Sequence, residues 1–483
     1  MNISLFAAVP EIFLTGMIML VLLFDAFIKN EKSDIPTLLT ILTLVGSYFL
    51  QLMVFTSEST IFAFNRMFIL DNLAEVMKLV NYIVSIILVL YVRTYIIDKK
   101  IASGAFYSIF LFAVLGMQVL ISANTMLILY VGLELLSLAL YGLIAISTDS
   151  ARATEAAMKF FILGALASGI LLYGISFIYG ATGGKLGLNE VSQAILIAHT
   201  SGGTNNALLI FGLVFVVAGL MFKLGLVPFH MWVPDVYEGS SMAVTAIIGT
   251  VTKIAAVVFV FRFLINAFSL MSHDWAIMLS VLAFLSIFIG NIVAIAQTNI
   301  KRMLAYSTIA HMGFIAFGFI TRTPDGLSAV MFYIITYVFT ALAGFGVLLL
   351  LSRDGYECEK IEDLAGLNKS HPIYAGVMLL VMFSLAGIPP LAGFYAKFKI
   401  LEVLVSVGYI RSAIFAVVLS LIGAFYYLRV VKVMYFDENT KELELSNYNS
   451  IDRSVLIING LLILVVGILP GEIMDMCYRL VMN

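Results

Sequence analysis

Two prolines interrupt a long apolar stretch near the middle of the chain, FKLGLVPFHMWVPDVY, which covers residues 222–237. A proline lacks a backbone donor and clashes with the preceding helical turn, so Pro228 and Pro234 should break the helix that contains them. A second stretch, AGIPPLAGFYAKF at residues 386–398, has the same property. Paired broken helices at membrane depth are typical of transport proteins with internal repeats. The two stretches therefore predict a transporter-like fold.

The composition of the whole chain agrees with a membrane protein. Of 483 residues, 62% are hydrophobic and 12% are charged, and the charged fraction of a soluble domain is about twice as high. The net charge of −2 gives no indication of nucleic-acid binding, for which a clustered basic face would be expected. Only Cys358 and Cys477 are present, too isolated to form an iron–sulfur or zinc site. We therefore expect no nucleic-acid partner, metal or redox cofactor in this chain.

Apolar runs long enough to cross a bilayer, about 20 residues each, occur fourteen times. The predicted helices, numbered one to fourteen, cover residues 3–28, 36–55, 71–97, 104–122, 124–146, 151–180, 206–235, 242–267, 274–297, 302–321, 327–352, 372–404, 409–434 and 453–470. The fold class is therefore all-α, with about 14 transmembrane helices, and helices seven and twelve are discontinuous.

Basic residues predict the orientation, because cytoplasmic loops carry the excess of Lys and Arg. Loops after odd-numbered helices and the adjoining helix ends carry 15 basic residues, including Lys29, Lys32, Arg353 and Lys441, and the other side carries six. Both termini should therefore lie outside the cytoplasm.

The broken helices also suggest how the chain is divided. We expect N-terminal helices one to three at 1–103, a first five-helix repeat at 104–270, a second at 271–436, and a loop with helix fourteen at 437–483. Because each repeat has an odd number of helices, the second should be inverted relative to the first.

Ionisable residues lie deep inside several predicted helices. Glu134 is in helix five, and Lys223, Lys253 and Lys397 are in helices seven, eight and twelve, while Lys159 lies about two turns into helix six. A midplane lysine costs about 2.5–3.5 kcal/mol on the lenient insertion scale. Such lysines either reach the surface and brace neighbouring helices, or exchange protons, because burial disfavours the charged amine and a nearby carboxylate favours it. For the central residues we favour proton exchange.

Two histidines extend this interpretation. His311 lies near the centre of helix ten, where an imidazole suits proton relay, although a lone buried histidine is more often simply hydrogen-bonded. His230 and Asp235 flank the break at Pro234, and form either a proton uptake point or a capped helix end. Gly164 and Ser168 are interpreted as small packing residues between membrane helices.

Taken together, these motifs resemble the antiporter-like membrane subunits of respiratory complex I, a superfamily that includes multisubunit cation/proton antiporters and membrane-bound hydrogenases. The resemblance rests on the stretch from Glu134 to Lys159, the strings at 222–237 and 387–398, and the Thr252-Lys253-Ile254 motif. Lys397, where subunit M usually has glutamate, and the Val9-Pro10-Glu11 opening favour the subunit N group.

The resemblance implies roles for the matching residues of the first half. Glu134 would set the charge state of Lys223, and Lys159 would modulate this half. Partner subunits would hold NADH, FMN, the iron–sulfur clusters and quinone, and this chain would lie among other membrane subunits of a bacterial inner-membrane complex.

In the second half, Lys253 and His311 would connect the two half-channels, and Lys397 would serve the far exit. Three alternatives stay open. The first is a subunit of a cation/proton antiporter or hydrogenase, which neighbouring genes would identify. The second is a secondary transporter of a small solute, which would leave several buried lysines without a substrate. The third is a non-transporting scaffold, which the central charges disfavour most.

Overall fold

The computed structural model describes residues 3–27, 34–55, 60–200, 206–352, 356–438 and 450–482. Lys29, Lys32, Arg353 and Lys441, which entered the orientation argument, lie outside these ranges. The described part of the chain is almost entirely helical, and 13 of its helices are long and apolar enough to cross a membrane. One shorter apolar helix, Pro372–Ala386, belongs to the predicted broken helix twelve. The prediction of an all-α polytopic membrane protein is confirmed.

The helices follow one another along the described residues with short connections. They are α1 (Ile3–Ala7), α2 (Val9–Phe27), α3 (Ile35–Val54), α4 (Asn72–Asp98), α5 (Ser103–Ile121), α6 (Met126–Ala145), α7 (Ala151–Ala181), α8 (Leu188–Thr200), α9 (Asn206–Leu224), α10 (Trp232–Gly239), α11 (Met242–Gly249), α12 (Val251–Phe261), α13 (Ser272–Ile295), α14 (Ile300–Ile320), α15 (Pro324–Leu351), α16 (Leu367–Ser370), α17 (Pro372–Ala386), α18 (Ala392–Ser406), α19 (Ile410–Phe436), α20 (Ser450–Ile468) and α21 (Gly471–Met482).

Both predicted interruptions are present. Helix seven consists of α9 and α10, and helix twelve consists of α17 and α18. Gly225 and Gly387 end the first halves with φ of 83° and 86°, a left-handed conformation that glycine adopts without the steric penalty of a side chain. A cis proline follows each of them, at Pro228 and Pro390.

Helix eight contains a third break, which the sequence analysis did not predict. Thr250 separates α11 from α12, with φ −122° and ψ −89°, and its hydroxyl donates to the carbonyl of Ala246 at 2.6 Å. The helix then continues beyond α12 as a π-helical turn, Arg262–Ala267. Lys253 therefore lies in the first turn of a new helical segment in the interior of the protein.

The central helices are enclosed by the others. Every residue of α11 and α12 is buried, and α14 and α15 are buried along almost their whole lengths. In contrast, α7 and α13 each expose several large apolar side chains, such as Phe161 and Leu166 of α7 and Ile277 and Val281 of α13, which is normal for the lipid-facing or subunit-facing side of a membrane helix. The residues on α12 and α14 thus lie in the interior, where water has little access.

A short hairpin, which we did not predict, covers one end of the helices. Strands β1 (Ile61–Ala63) and β2 (Phe68–Leu70) pair antiparallel, and the nitrogen of Ile69 donates to the carbonyl of Ser122 at 2.8 Å.

Next to this hairpin, Arg262 forms a bidentate pair with Asp71 at 2.6 and 2.7 Å. Arg262, one of the six basic residues on the side predicted to lie outside the cytoplasm, has a side chain that is only 1% exposed. The pair fixes the start of α4 against the end of helix eight.

Candidate functional site

The first part of the site joins α6 to α7. Glu134 is half-buried on α6, and the hydroxyl of Ser168 on α7 donates to its Oε1 atom. A hydroxyl bond to an ionised carboxylate is a strong, charge-assisted contact. Ser168, which we had interpreted as a packing residue, therefore holds the predicted acid in place. Gly164, one turn earlier, packs against the hydroxyl of Tyr141, which would have to move to admit a larger residue.

Lys223 approaches the same face of α6. Its ammonium group is buried and donates to the hydroxyl of Ser137 at 3.1 Å. Ser137 follows Glu134 by three residues, so the two share a helix face, and Glu134 and Lys223 attract each other electrostatically. The structure thus brings together the predicted carboxylate and lysine, with two serines between the helices that carry them.

Trp232 contacts both the next lysine and the backbone beside Lys223. The Nζ atom of Lys253 lies 5.4 Å from the centre of the Trp232 ring, a distance at which a cation and an aromatic face attract. The indole donates to the carbonyl of Phe222, the residue before Lys223, at 3.0 Å.

Lys253 itself is 1% exposed. Among the residues that the structure describes, its Nζ atom has no hydrogen-bond or ion-pair partner. Coulombic repulsion acts between it and Lys223, so the charge of either amine affects the other.

His311 has hydrogen-bond partners on both sides of its ring. Its Nδ1 atom lies 2.7 Å from the hydroxyl of Tyr333, and its Nε2 atom lies 3.1 Å from the hydroxyl of Tyr427. The Tyr427 hydroxyl is in turn 2.5 Å from that of Ser307. The imidazole is 4% exposed. Because one ring nitrogen can accept a proton while the other donates one, this geometry permits relay through the ring.

Further tyrosines connect His311 towards the first half of the chain. The hydroxyl of Tyr337 lies 2.8 Å from that of Thr308, and its ring is 5.2 Å from the His311 ring. Tyr237 of α10 lies beside Thr308, and its hydroxyl approaches Gly249, next to the break in helix eight. Buried hydroxyl groups therefore line the region between Lys253 and His311.

Lys397 closes the row on α18. Its Nζ atom donates to the carbonyls of Leu385 and Ala386 at 2.8 and 3.1 Å and to the hydroxyl of Ser420 at 3.1 Å. The two carbonyls end α17, where the helix dipole favours a cation. The ammonium also lies 5.4 Å from the ring of Phe314, three residues after His311, and it interacts electrostatically with that histidine.

Three predicted residues lie outside this row. Asp235 pairs with Lys159 at 3.0 Å and with Arg302 at 3.0 Å. The Lys159 side chain is 45% exposed, and it lies nine residues from Ser168 on the same helix, which corresponds to about 14 Å. His230 is buried, and its Nδ1 atom has no hydrogen-bond partner among the described residues.

The pairs of Lys159 and Asp235 belong to a larger ionic network on one surface. Its other members are Arg152, Glu155, Glu238, Lys301, Arg302 and Glu359. Burial acts to raise the pKa of the Glu359 carboxyl, but Lys301 and Arg152 hold that pKa below its usual value. The network ties α7 and α10 of the first half to α14 and the 356–360 segment of the second.

The polar groups between the charged residues were not predicted from the sequence. Serines and tyrosines in membrane helices are normally packing or interfacial residues, so their type alone gave no signal. One signal was available, because Ser137 and Ser307 recur within one turn of Glu134 and His311. Within the described ranges, no cluster of three or more His, Cys, Asp or Glu side chains could hold a metal ion.

Comparison with known proteins relates this site to a family. Residues 123–441 match the family described as NADH:quinone oxidoreductase/Mrp antiporter, TM. The chain is 49% identical over 469 residues to the NADH-quinone oxidoreductase subunit N of Thioalkalivibrio sulfidiphilus (strain HL-EbGR7), covering 97% of this chain and 96% of the relative.

Solved structures have the same fold. A chain of respiratory complex I from Thermus thermophilus, with bound aureothin, has a TM-score of 0.79 and 31% identity, covering 96% of this chain and 98% of that chain. A chain of the Mrp complex from Dietzia sp. DQ12-45-1b has a TM-score of 0.86 at 19% identity, covering 99% and 97%. The chain therefore belongs to the NADH:quinone oxidoreductase/Mrp antiporter family and, within it, to the NADH-quinone oxidoreductase subunit N group.

Proposed function

We propose that this chain is the antiporter-like, proton-translocating subunit of a bacterial NADH–quinone oxidoreductase. The observation that carries the proposal is a row of ionisable groups inside the helices, the half-buried Glu134 and the buried Lys223, Lys253, His311 and Lys397. Hydroxyl groups and aromatic rings lie between them. Ionisable residues inside membrane helices are expensive and mark ion pathways by default.

In the first half, Glu134 holds a proton on Lys223 by attraction. When that attraction weakens, the proton leaves Lys223 and moves past Trp232 to Lys253. Two unit charges about 10 Å apart interact by roughly 1.7 kcal/mol at an effective dielectric near 20, and this changes proton occupancy by more than about tenfold. Repulsion between the two amines therefore favours one proton on the pair at a time.

In the second half, the proton passes the hydroxyl groups of Thr308 and Tyr337. His311 receives it through one of its two hydroxyl partners, Tyr333 or Tyr427, and releases it through the other. Lys397 accepts it at the end of α17, where two carbonyls stabilise the ammonium form. Ser420, the third hydrogen-bond partner of Lys397, is the next group on the exit path of the proton. Asp235, Lys159 and His230 lie at the surface and the break, where they feed or modulate the first half.

Electron transfer belongs to partner subunits in this proposal. NADH, FMN, the iron–sulfur clusters and quinone bind there, and this chain binds none of them. It lies among other membrane subunits in the inner membrane, with both termini outside the cytoplasm. The names of the relatives support this assembly, and the excess of basic residues after odd-numbered helices supports the orientation.

We also propose that residues 104–270 and 271–436 are two inverted repeats. Each contains a helix that ends at a left-handed glycine three residues before a proline, Gly225 before Pro228 and Gly387 before Pro390. A buried lysine accompanies each break, before it at Lys223 and after it at Lys397. Breaks at equivalent positions of two halves are expected when a transport path follows the repeat symmetry.

The assembly is tested by purifying the complex through a tag on this chain and identifying its partners by mass spectrometry. We expect flavin, iron and NADH-driven quinone reduction in the purified complex. This chain, once separated from its partners, should have none of the three. A complex of cation/proton antiporter subunits without flavin would contradict the proposal. A redox cofactor retained by the separated chain would contradict the placement of electron transfer.

A further inference from the structure

A stripe of buried polar residues on α4 lies outside the row described above. The stripe consists of Glu75, Lys78, Asn81, Tyr82 and Ser85, all fully buried. Positions three and four residues apart lie on one face of a helix. Two carboxyl or amine groups and three hydrogen-bonding side chains on one buried face of a membrane helix are expensive, and they indicate a function beyond packing.

An ion pair joins this stripe to α2. The ammonium of Lys78 donates to Oε1 of Glu11, and the ring of Phe68 in the hairpin covers it at 4.7 Å. The second carboxylate oxygen of Glu11 is buried, and no described residue gives it a hydrogen bond. The pair therefore has an unused acceptor in the interior of the protein.

Helix α3 adds polar groups to the same region. Ser47 faces the hydroxyl of Tyr82, and Gln51 follows Ser47 by one turn, so it lies on the same face. Both side-chain polar atoms of Gln51 are buried without a hydrogen-bond partner among the described residues. Buried polar atoms of this kind normally bond to internal water. The space between α2, α3 and α4 therefore has the chemistry of a hydrated channel.

The inner end of the stripe reaches the segment that carries the central lysine. Asn81 donates to the carbonyl of Val251 at 3.1 Å and accepts from Gln118 at 3.0 Å. Val251 is the first residue of α12, two residues before Lys253. The polar stripe and the row of ionisable groups thus meet at the break in helix eight.

Apolar residues interrupt the stripe beyond Ser85. The buried side chains of α4 that follow at helical spacing are Leu88, Val89 and Val92, and the next polar one is Tyr95. Towards the start of the helix, in contrast, polar residues continue to Glu75, in the first turn of α4. A path along this stripe would therefore open only at the membrane face where α2 and α4 begin.

We propose that the α4 stripe, together with Glu11 and Gln51, is a hydrated proton branch connecting the Lys253 segment with the membrane face where α2 and α4 begin. The inference rests on the proposed function, because it gives the branch the same ion. The step within the pair is transfer of one proton from the Lys78 ammonium to the Glu11 carboxylate, which leaves a neutral amine and a neutral acid. Water and Gln51 carry the proton onwards.

The first test removes the titrating groups while keeping an apolar fit. Replacing a buried ion pair by apolar residues of similar volume often leaves stability unchanged, so a complex with Glu11→Leu and Lys78→Met together should assemble. We expect protons pumped per NADH to fall to less than half of normal. The matched control is Glu402→Leu with Lys399→Met, which removes an exposed pair of 2.7 Å and should pump normally. Normal pumping by the Glu11 and Lys78 variant would overturn the branch.

The second test measures hydration and needs no pumping. In a complex whose Cys358 and Cys477 are serine, Gln51→Cys should react with a charged, membrane-impermeant thiol reagent. Leu42 is 53% exposed and lies on the apolar side of α3. Neither Leu42→Cys nor Leu88→Cys should react with this reagent. An unreactive Gln51→Cys would overturn the hydrated path. This result would be decisive even if the variant with Glu11→Leu and Lys78→Met failed to assemble. Normal pumping after Lys223→Ala would instead contradict the proposed function, so the two failures are distinguishable.

Discussion

His311 depends on two tyrosine hydroxyls, and removing them tests whether the imidazole passes protons. Tyr333→Phe deletes the partner of Nδ1, which lies at 2.7 Å, and Tyr427→Phe deletes the partner of Nε2, at 3.1 Å. Both rings are buried, so phenylalanine keeps the packing and removes only the oxygen. A relay needs both nitrogens, because one receives the proton while the other releases it. Either single change should therefore interrupt it.

The expected sizes of the defects distinguish a relay role of His311 from a purely structural role. A buried ring nitrogen left without a partner costs about 1–3 kcal/mol of stability, and two such losses should roughly add. Loss of a positioned proton-transfer group slows transfer by roughly 10²–10⁴-fold, which corresponds to about 2.7–5.4 kcal/mol of barrier. In a serial relay the losses do not add, because the first interruption already stops the proton. We therefore expect the double variant to pump no worse than either single variant.

The assay is proton uptake per NADH in vesicles with equal amounts of assembled complex. Tyr107→Phe is the matched control, because Tyr107 is equally buried and lies on α5, outside the row. Its pumping should be normal. If both single variants pump normally, or if their defects are moderate and add in the double variant, His311 is a structural residue and the path crosses elsewhere.

Three further predictions concern the remaining charges. Asp71→Asn keeps an oxygen that can cap α4 but leaves the Arg262 guanidinium buried and unpaired. This should lower the stability of the fold by about 3–5 kcal/mol, and the thermal unfolding midpoint of the complex measures the loss. Burial acts to raise the pKa of Asp71, but Arg262 holds it below the usual value, so the pair stabilises the fold at neutral pH. That stability is lost as pH falls through the folded-state pKa, and the Asn variant should lack this loss. Lys159→Ala should reduce pumping far less than Lys223→Ala, because the Lys159 side chain is outside the row and its exposed ion pairs contribute only about 0–1 kcal/mol to stability. Equal pumping defects in the two variants would contradict this prediction. Lys369→Cys should be labelled from the cytoplasmic side only, and labelling from the opposite side would reverse the predicted orientation.

Helix spans were predictable because lipid imposes one length and one composition on every crossing. The predicted span 124–146 became Met126–Ala145, and 327–352 became Pro324–Leu351. The breaks in helices seven and twelve were equally visible, since proline excludes a continuous helix. The break at Thr250 was not, because no proline accompanies it and threonine occurs in unbroken membrane helices as well.

For the candidate site, the sequence revealed the charged residues and concealed what joins them. A lysine in an apolar helix is conspicuous, and Glu134, Lys223 and Lys253 were found in this way. The contact between Ser168 and Glu134 spans 34 positions and that between Tyr427 and His311 spans 116. Such pairs are set by how the helices pack, which one sequence without an alignment does not determine. The same reason explains why Lys159 was grouped with the buried residues although its side chain lies in a surface network.

The central claim is that Lys223 holds and releases a proton under the control of Glu134. Its most direct test is proton uptake by vesicles holding equal amounts of assembled complex with Lys223→Ala or Glu134→Gln. Both variants should pump poorly, with coupled electron flow reduced in parallel, and Lys223→Arg should not fully restore pumping, because guanidinium stays protonated throughout the accessible pH range. Normal pumping by both Lys223→Ala and Glu134→Gln would reduce these residues to structural charges and contradict the account.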